Sequence, residues 1–258
     1  MKILEINISK KTESVILEMT STFSETIEYH NIDEISKQIG YRPLGAVQPT
    51  PIENKYSLWL ATDLPPEIFE TNLLHELRHI VQARNGFPMI YNKIGNSHFA
   101  ADETFFKEVG TSIQSSVLDL EVISWLHSLG YSSECFTYTD NIDPVRLLSQ
   151  VSEASLTDKY NLSNATLILY TAHMRAEQSE QARCIDMFSS FPTILEHFNK
   201  LVSLVNFDTV GTPENALMSM GHIIDLFDLW SMYYISTEFQ TIKIKTKKQF
   251  ASFASQHS

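Results

Sequence analysis

Apolar and polar positions run along this chain in two rhythms, one of period two and one near 3.6. Lys2 to Ile8 alternate in part and predict a short strand. Val15, Ile16, Met19, Phe23 and Ile27 recur at helical spacing and predict a helix over 12–29. A shorter helix over 33–39 should end at Gly40. The character then changes over 41–62. Pro43, Gly45, Pro49 and Pro51 punctuate the segment, and Tyr56, Leu58 and Leu60 alternate with Ser57, Trp59 and Ala61. This predicts a strand pair, with 55–62 as its strongest strand.

Asp63-Leu-Pro-Pro-Glu67 next reads as a helix start, with prolines in the first turn and an acid that complements the helix dipole. The helix should run from about Pro66 to Asn85 and stop at Gly86, with Pro88 just beyond. A second long helix is predicted over 104–129, ending at Gly130. Four further helical stretches follow at 144–156, 162–186, 191–205 and 213–235, and a last strand at 238–245. With only 8 glycines and 9 prolines in 258 residues, helix is favoured over a many-turned all-β fold. The fold class is therefore α+β: a small N-terminal sheet with one prominent helix, then a mainly helical C-terminal half. The loop over 131–143 is the one plausible boundary, giving 1–135 and 136–258, or a single continuous domain.

Composition adds a few exclusions. The chain is 43% hydrophobic and 19% charged, enough apolar material for a sizeable core. Lysine and arginine total 19 against 31 aspartates and glutamates, a net charge of −12. Bulk charge therefore argues against nucleic acid or an anionic membrane as a partner. The lysines at 243, 245, 247 and 248 read as a solvated strand face or tail. Cys135 and Cys184 are too few for a disulfide framework and read as free thiols. Glu5 interrupts the N-terminal apolar run before signal-peptide length, and no uninterrupted apolar stretch reaches about 18 residues. The expected location is cytoplasmic. Oligomeric state is not legible.

The chemistry concentrates in His75-Glu76-Leu77-Arg78-His79, within the helix over 66–85. Residues four apart on a helix lie on one face, so the two imidazoles can hold one metal ion. Glu76 leans beside that site, where it can take a proton from a water and later pass it to a leaving group. Zinc suits two imidazoles and a carboxylate and lowers the pKa of bound water to about 7. Leu73, Leu74, Leu77, Ile80 and Val81 flank the motif and predict that the helix is buried on its other faces. Histidines and a glutamate in that setting need a compensating partner.

Leu74-His75-Glu76-Leu77-Arg78-His79-Ile80 resembles the active-site helix of the zincin metallopeptidases, and Val122-Ile-Ser-Trp-Leu-His-Ser-Leu-Gly130-Tyr131 resembles the helix end of small bacterial proteins carrying this motif. The resemblance covers roughly 55–130 and is specific over the motif itself. It implies a zincin-like core, Zn2+ as cofactor, His75 and His79 as metal ligands, Glu76 as general base, and a peptide or protein substrate bound along an edge strand. The strand over 55–62 is the candidate for that edge. The metzincin extension is absent, because Gln82-Ala-Arg-Asn-Gly86 supplies no third histidine. Peptide deformylase needs an upstream cysteine ligand, and both cysteines lie downstream.

In zincins with a carboxylate ligand, the third ligand lies on a second, downstream helix. Here that helix offers Asp119 and Glu121, which stand about 200° apart and cannot share a face. Asp119 belongs to a small-then-apolar stripe with Ser112, Ser115, Ser116, Val122, Ile123 and Leu126, which suits an inward face. Glu121 shares its face with Gln114, Ser124, Trp125 and Ser128, a mixed surface, and is the alternative. His98, Asp102, Glu103 and Glu108 complete the field. His98, His222, Tyr91 and Tyr131 are candidates for steadying a substrate carbonyl or orienting a ligand. The methionine- and aromatic-rich stretch over 213–235 reads as core packing. Two rival functions stand beside the peptidase: a metal-dependent hydrolase of a non-peptide amide, and a non-enzymatic zinc-binding interaction protein.

Overall fold

The computed structural model describes residues 1–39, 43–50, 55–93, 103–132, 152–176, 178–237 and 242–257. The chain is mixed α/β and mainly helical, with three small sheets among the described residues. It divides into two compact units, each made of two stretches: Met1–Gln82 with Val122–Asn141, and Ala83–Glu121 with Ile142–Ser258. No helix among the described residues is long and apolar enough to cross a membrane. Most of the expected boundary loop over 131–143, and most of the helix expected over 144–156, lie outside the described residues.

The first unit opens with β1 (Lys2–Ile3) and β2 (Ile6–Asn7), paired antiparallel. The single strand expected over 2–8 is thus folded on itself. Leu4 and Glu5 both take positive φ, 49° and 65°, as the two centre positions of a mirror-image hairpin turn require. Helix α1 (Lys10–Thr20) starts on Ser9, whose side chain accepts from the Thr12 amide. The helix expected over 12–29 stops there. Thr20 and Ser21 bond back to carbonyls of the last turn, and Thr26–Asn31 form β3. Ile27 therefore belongs to a strand face.

Helix α2 (Asp33–Ile39) links β3 to β4 (Gly45–Thr50) and β5 (Lys55–Leu60). The sheet order is β3-β5-β4. β3 runs parallel and β4 antiparallel to β5, with Tyr29 and Val47 on either side of Leu58. β5 alternates as expected, with Tyr56, Leu58 and Leu60 buried. It is the central strand, however, so 55–62 is not an edge; β3 and β4 are the two edges among the described strands.

Helix α3 (Pro66–Arg84) packs in the same core through Phe69, Leu73, Leu74, Leu77 and Ile80. Gly86 closes it at φ 80°, its amide bonded to the Ala83 carbonyl. Every residue from Phe69 to Leu77 is buried. A helix buried all round is ordinarily apolar. This one carries Glu70, Thr71, Asn72, His75 and Glu76 inside, each of which needs a partner. Helix α4 (Glu103–Ser128) contributes Val122, Ile123 and Leu126 to this core, and Gly130 follows at φ 73°.

The second unit has its own core, built on Val109, Ile113 and Val117 of α4. Around it lie α5 (Lys159–Arg175), α6 (Gln178–Met187), α7 (Pro192–Leu204), α8 (Pro213–Leu226) and α9 (Lys247–His257). Asp158 caps α5 at the amides of Tyr160 and Asn161, and Thr212 caps α8 ahead of Pro213. The helix expected over 162–186 is broken at Ala176, an extended residue. That over 213–235 ends early, at Phe227, and Asp228 turns the chain at φ 51°. Met220, Phe227, Trp230 and Tyr233 all reach the core.

Three antiparallel strands complete the unit in the order β6-β7-β8: β6 (Met89–Asn92), β7 (Tyr233–Ser236) and β8 (Lys243–Ile244). The sequence pattern gave no signal for β6. Nor did it for α9, where the lysine run begins a helix and Lys247 pairs with Asp225 at 2.8 Å.

Candidate metal centre

His75 and His79 stand one turn apart on α3 with their rings edge to face. Their Nε2 atoms approach to 3.0 Å. The His79 Nδ1 lies 2.8 Å from the Gln82 Oε1, one further turn along the helix. Gln82 is buried, and its amide oxygen is an acceptor. A proton on His79 Nδ1 suits that acceptor and leaves a lone pair on Nε2, the form in which imidazole ligates a metal. Sequence reasoning did not single out Gln82 as a partner of His79. Helical spacing held the clue, since Gln82 is three positions after His79.

Asp119 is buried on α4, and one ligand atom from each of His75, His79 and Asp119 lies within 4.8 Å of the others. Ligands around a tetrahedral zinc sit about 3.3 Å apart. The two imidazole Nε2 atoms, 3.0 Å apart, are near that spacing, and the nitrogen and oxygen donors of the set are of the type zinc accepts. The set fits a metal ion by the chemistry of its donors, two imidazoles and a carboxylate. Glu121 is half-buried and belongs to no such group among the described residues. The stripe that singled out Asp119 is buried from Ser116 through Val122, Ile123 and Leu126. His98 and Asp102 lie outside the described residues, as do the side chains of Glu103 and Glu108.

Asp119 also pairs with Arg175, at the end of α5. Both side chains are largely buried, and the Arg175 Nε finds no hydrogen-bond partner among the described residues. The guanidinium meets the carboxylate at Oδ2. No spacing rule links positions 119 and 175, which is why sequence reasoning missed this partner.

Glu76 is 7% exposed and lies against the start of β4. The remaining candidates are engaged elsewhere. The Tyr131 hydroxyl sits 2.7 Å from the Thr12 hydroxyl, which donates to Glu70. Tyr91 stacks on Tyr234. His222 packs edge-on to Phe250, and burial pulls its pKa down against the opposing pull of Asp225. Cys184 is half-buried, and burial, with Glu180 nearby, raises its thiol pKa, the reverse of an activated nucleophile. Cys135 lies outside the described residues.

The buried His75, His79 and Asp119 group is able to bind a metal ion. No protein-family model, no curated protein and no solved structure matches this chain.

Proposed function

We propose that this chain is a zinc-dependent metallopeptidase of the zincin type. The observation that carries the reading is the convergence of His75, His79 and Asp119, with Glu76 buried on the same helix as the two histidines. The two imidazoles and Asp119 would hold the ion. Bound there, zinc supplies Lewis acidity toward a carbonyl and a lowered pKa for water.

The chain's own residues do the rest. Gln82 fixes the tautomer of His79. Glu76 takes one proton from the attacking water as its oxygen bonds to the carbonyl carbon. It then hands that proton to the amide nitrogen as the C–N bond breaks. The products are a carboxyl group and an amine, and Glu76 is regenerated. β4 supports a peptide as the substrate. It pairs only with β5 among the described strands, and an extended chain can add to such an edge.

The Asp119–Arg175 pair favours a second reading, a zinc-binding or metal-free interaction protein. Arg175 already balances the charge of Asp119, so the carboxylate does not need a metal to be buried.

Bound-metal content separates these, measured on wild type and on His79→Ala, Asp119→Ala and Glu121→Ala. About one zinc per chain is expected in wild type and Glu121→Ala, and loss in the other two. A peptide library assayed beside a panel of small amides then tests the substrate class. Glu76→Gln should keep zinc and lose turnover. Retained turnover in that variant overturns the peptidase mechanism. Absence of zinc even after add-back leaves the interaction protein as the better account.

A further inference from the structure

We infer that Gly45 is a positioning residue for Glu76, an inference that rests on the peptidase reading for its catalytic meaning but not for its test. A Cβ built on Gly45 would stand 2.7 Å from the Glu76 Cγ, 2.8 Å from its Oε1 and 3.0 Å from the Asn72 Nδ2. Real Cβ atoms essentially never come so close, so one partner must move. Glu76 has little room to do so, since it is buried with its neighbours on α3 from Phe69 to Leu77.

Conformational freedom is not the reason for glycine here. Gly45 is not among the positive-φ residues, unlike Gly86 and Gly130. Space is the reason. The bare Cα of residue 45 leaves the room in which the glutamate side chain lies.

Asn72 fixes the other half of the arrangement. It stands one turn before Glu76 on α3, and its Nδ2 donates to the Leu44 carbonyl at 2.9 Å. The same carbonyl accepts from the Ala61 amide at 2.8 Å, which ties it to the end of β5. The Leu44–Gly45 step is thus held to the helix by Asn72 and kept thin enough for Glu76 by Gly45. Together they set the distance between the edge strand β4 and the carboxylate. Moving a catalytic group by about 1 Å can cost on the order of 10²-fold in rate.

The test is a double-mutant cycle between positions 45 and 76, read by thermal unfolding, with zinc content measured on each variant. Gly45→Ala in the wild-type background is expected to lower Tm by about 5 °C. In the Glu76→Ala background the new methyl group has room, and the same substitution should leave Tm within about 1 °C or raise it. Zinc content should stay at the wild-type level throughout.

Where peptide cleavage is measurable, Gly45→Ala should lower kcat by about 10²-fold with KM within about threefold. Equal losses of Tm in both backgrounds overturn the inference. So does failure of the double variant to fold if Gly45→Ala alone fails. A chain without peptidase activity would defeat the proposed function yet leave the cycle readable.

Discussion

Helix α3 carries two buried glutamates that face opposite tasks. Glu70 is 9% exposed and Glu76 is 7% exposed, so burial does not tell them apart. Their surroundings do. Six residues separate them, about 240° around the helix. Glu70 accepts from the Ser9 amide at 2.6 Å, from the Ser9 hydroxyl at 2.7 Å and from the Thr12 hydroxyl. Thr12 in turn meets Tyr131, whose ring lies under the Lys11 ammonium. The donors to Glu70 are Ser9 and Thr12, both at the start of α1, and they spend the carboxylate on holding that end of the helix. Glu76 has Gly45 against its side chain, and His75 and His79 lie one position before it and three after it on the same helix. A carboxylate saturated with donors is a fastener, whereas the proposed function asks Glu76 to move a proton. The same helix supplies both because a span buried all round has no solvent to satisfy its polar groups.

The contrast is sharpest in turnover. Glu76→Gln should reduce peptide cleavage by at least about 10²-fold with zinc retained. Glu70→Gln should leave turnover within about threefold, even as it lowers stability. Comparable losses of activity in both variants would erase the distinction, because Glu70 would then act on the site as well.

A smaller effect, on stability, is expected at Arg175. The guanidinium draws on the charge of Asp119, and a metal ion held as proposed would draw on the same carboxylate. Removing one partner of a buried ion pair costs about 3 kcal/mol, because the other charge is left uncompensated. Arg175→Met should therefore unfold at lower temperature than wild type when metal-free. Added zinc should then raise its Tm by more than it raises that of wild type, since the ion replaces the missing positive charge. Equal zinc-induced shifts in the two proteins would mean that Asp119 answers only to Arg175.

Much of the first unit was legible in the sequence because its signals are local. The α3 boundaries follow from Pro66 and Gly86, and β5 from the alternation of Tyr56, Leu58 and Leu60. The spacing of His75 and His79, and the stripe containing Asp119, are also local periodicities. Misreadings arose where tertiary structure overrode period. The hydrophobics from Val15 to Ile27 span a helix and a strand, and those from Met218 to Tyr233 do likewise across Asp228. Strand order is non-local too, which is how β4 and not β5 comes to be an edge. The least legible residues are Gly45 and Arg175. Gly45 matters for an absent methyl group, and Arg175 for a partner 56 residues away.

The smallest predicted effect concerns pH, and it tests the fastener directly. Burial alone would raise the Glu70 pKa from its ordinary 4.5, but hydrogen bonds from Thr12 and Ser9 and the charge of Lys11 outweigh it and hold the pKa lower. A carboxyl whose folded pKa is depressed binds protons in the unfolded chain first. Its stabilisation is present above 4.5 and is lost as pH falls through the folded value. At neutral pH Glu70→Gln should cost about 2 kcal/mol, the worth of a charge-assisted hydrogen bond. Urea unfolding of wild type and variant, from about pH 7 down to about pH 3, should show that gap narrowing only below 4.5. A gap that stays constant across the range would mean that Glu70 contributes as a neutral hydrogen-bond acceptor. The charge would then no longer distinguish it, and its contrast with Glu76 would rest on geometry alone.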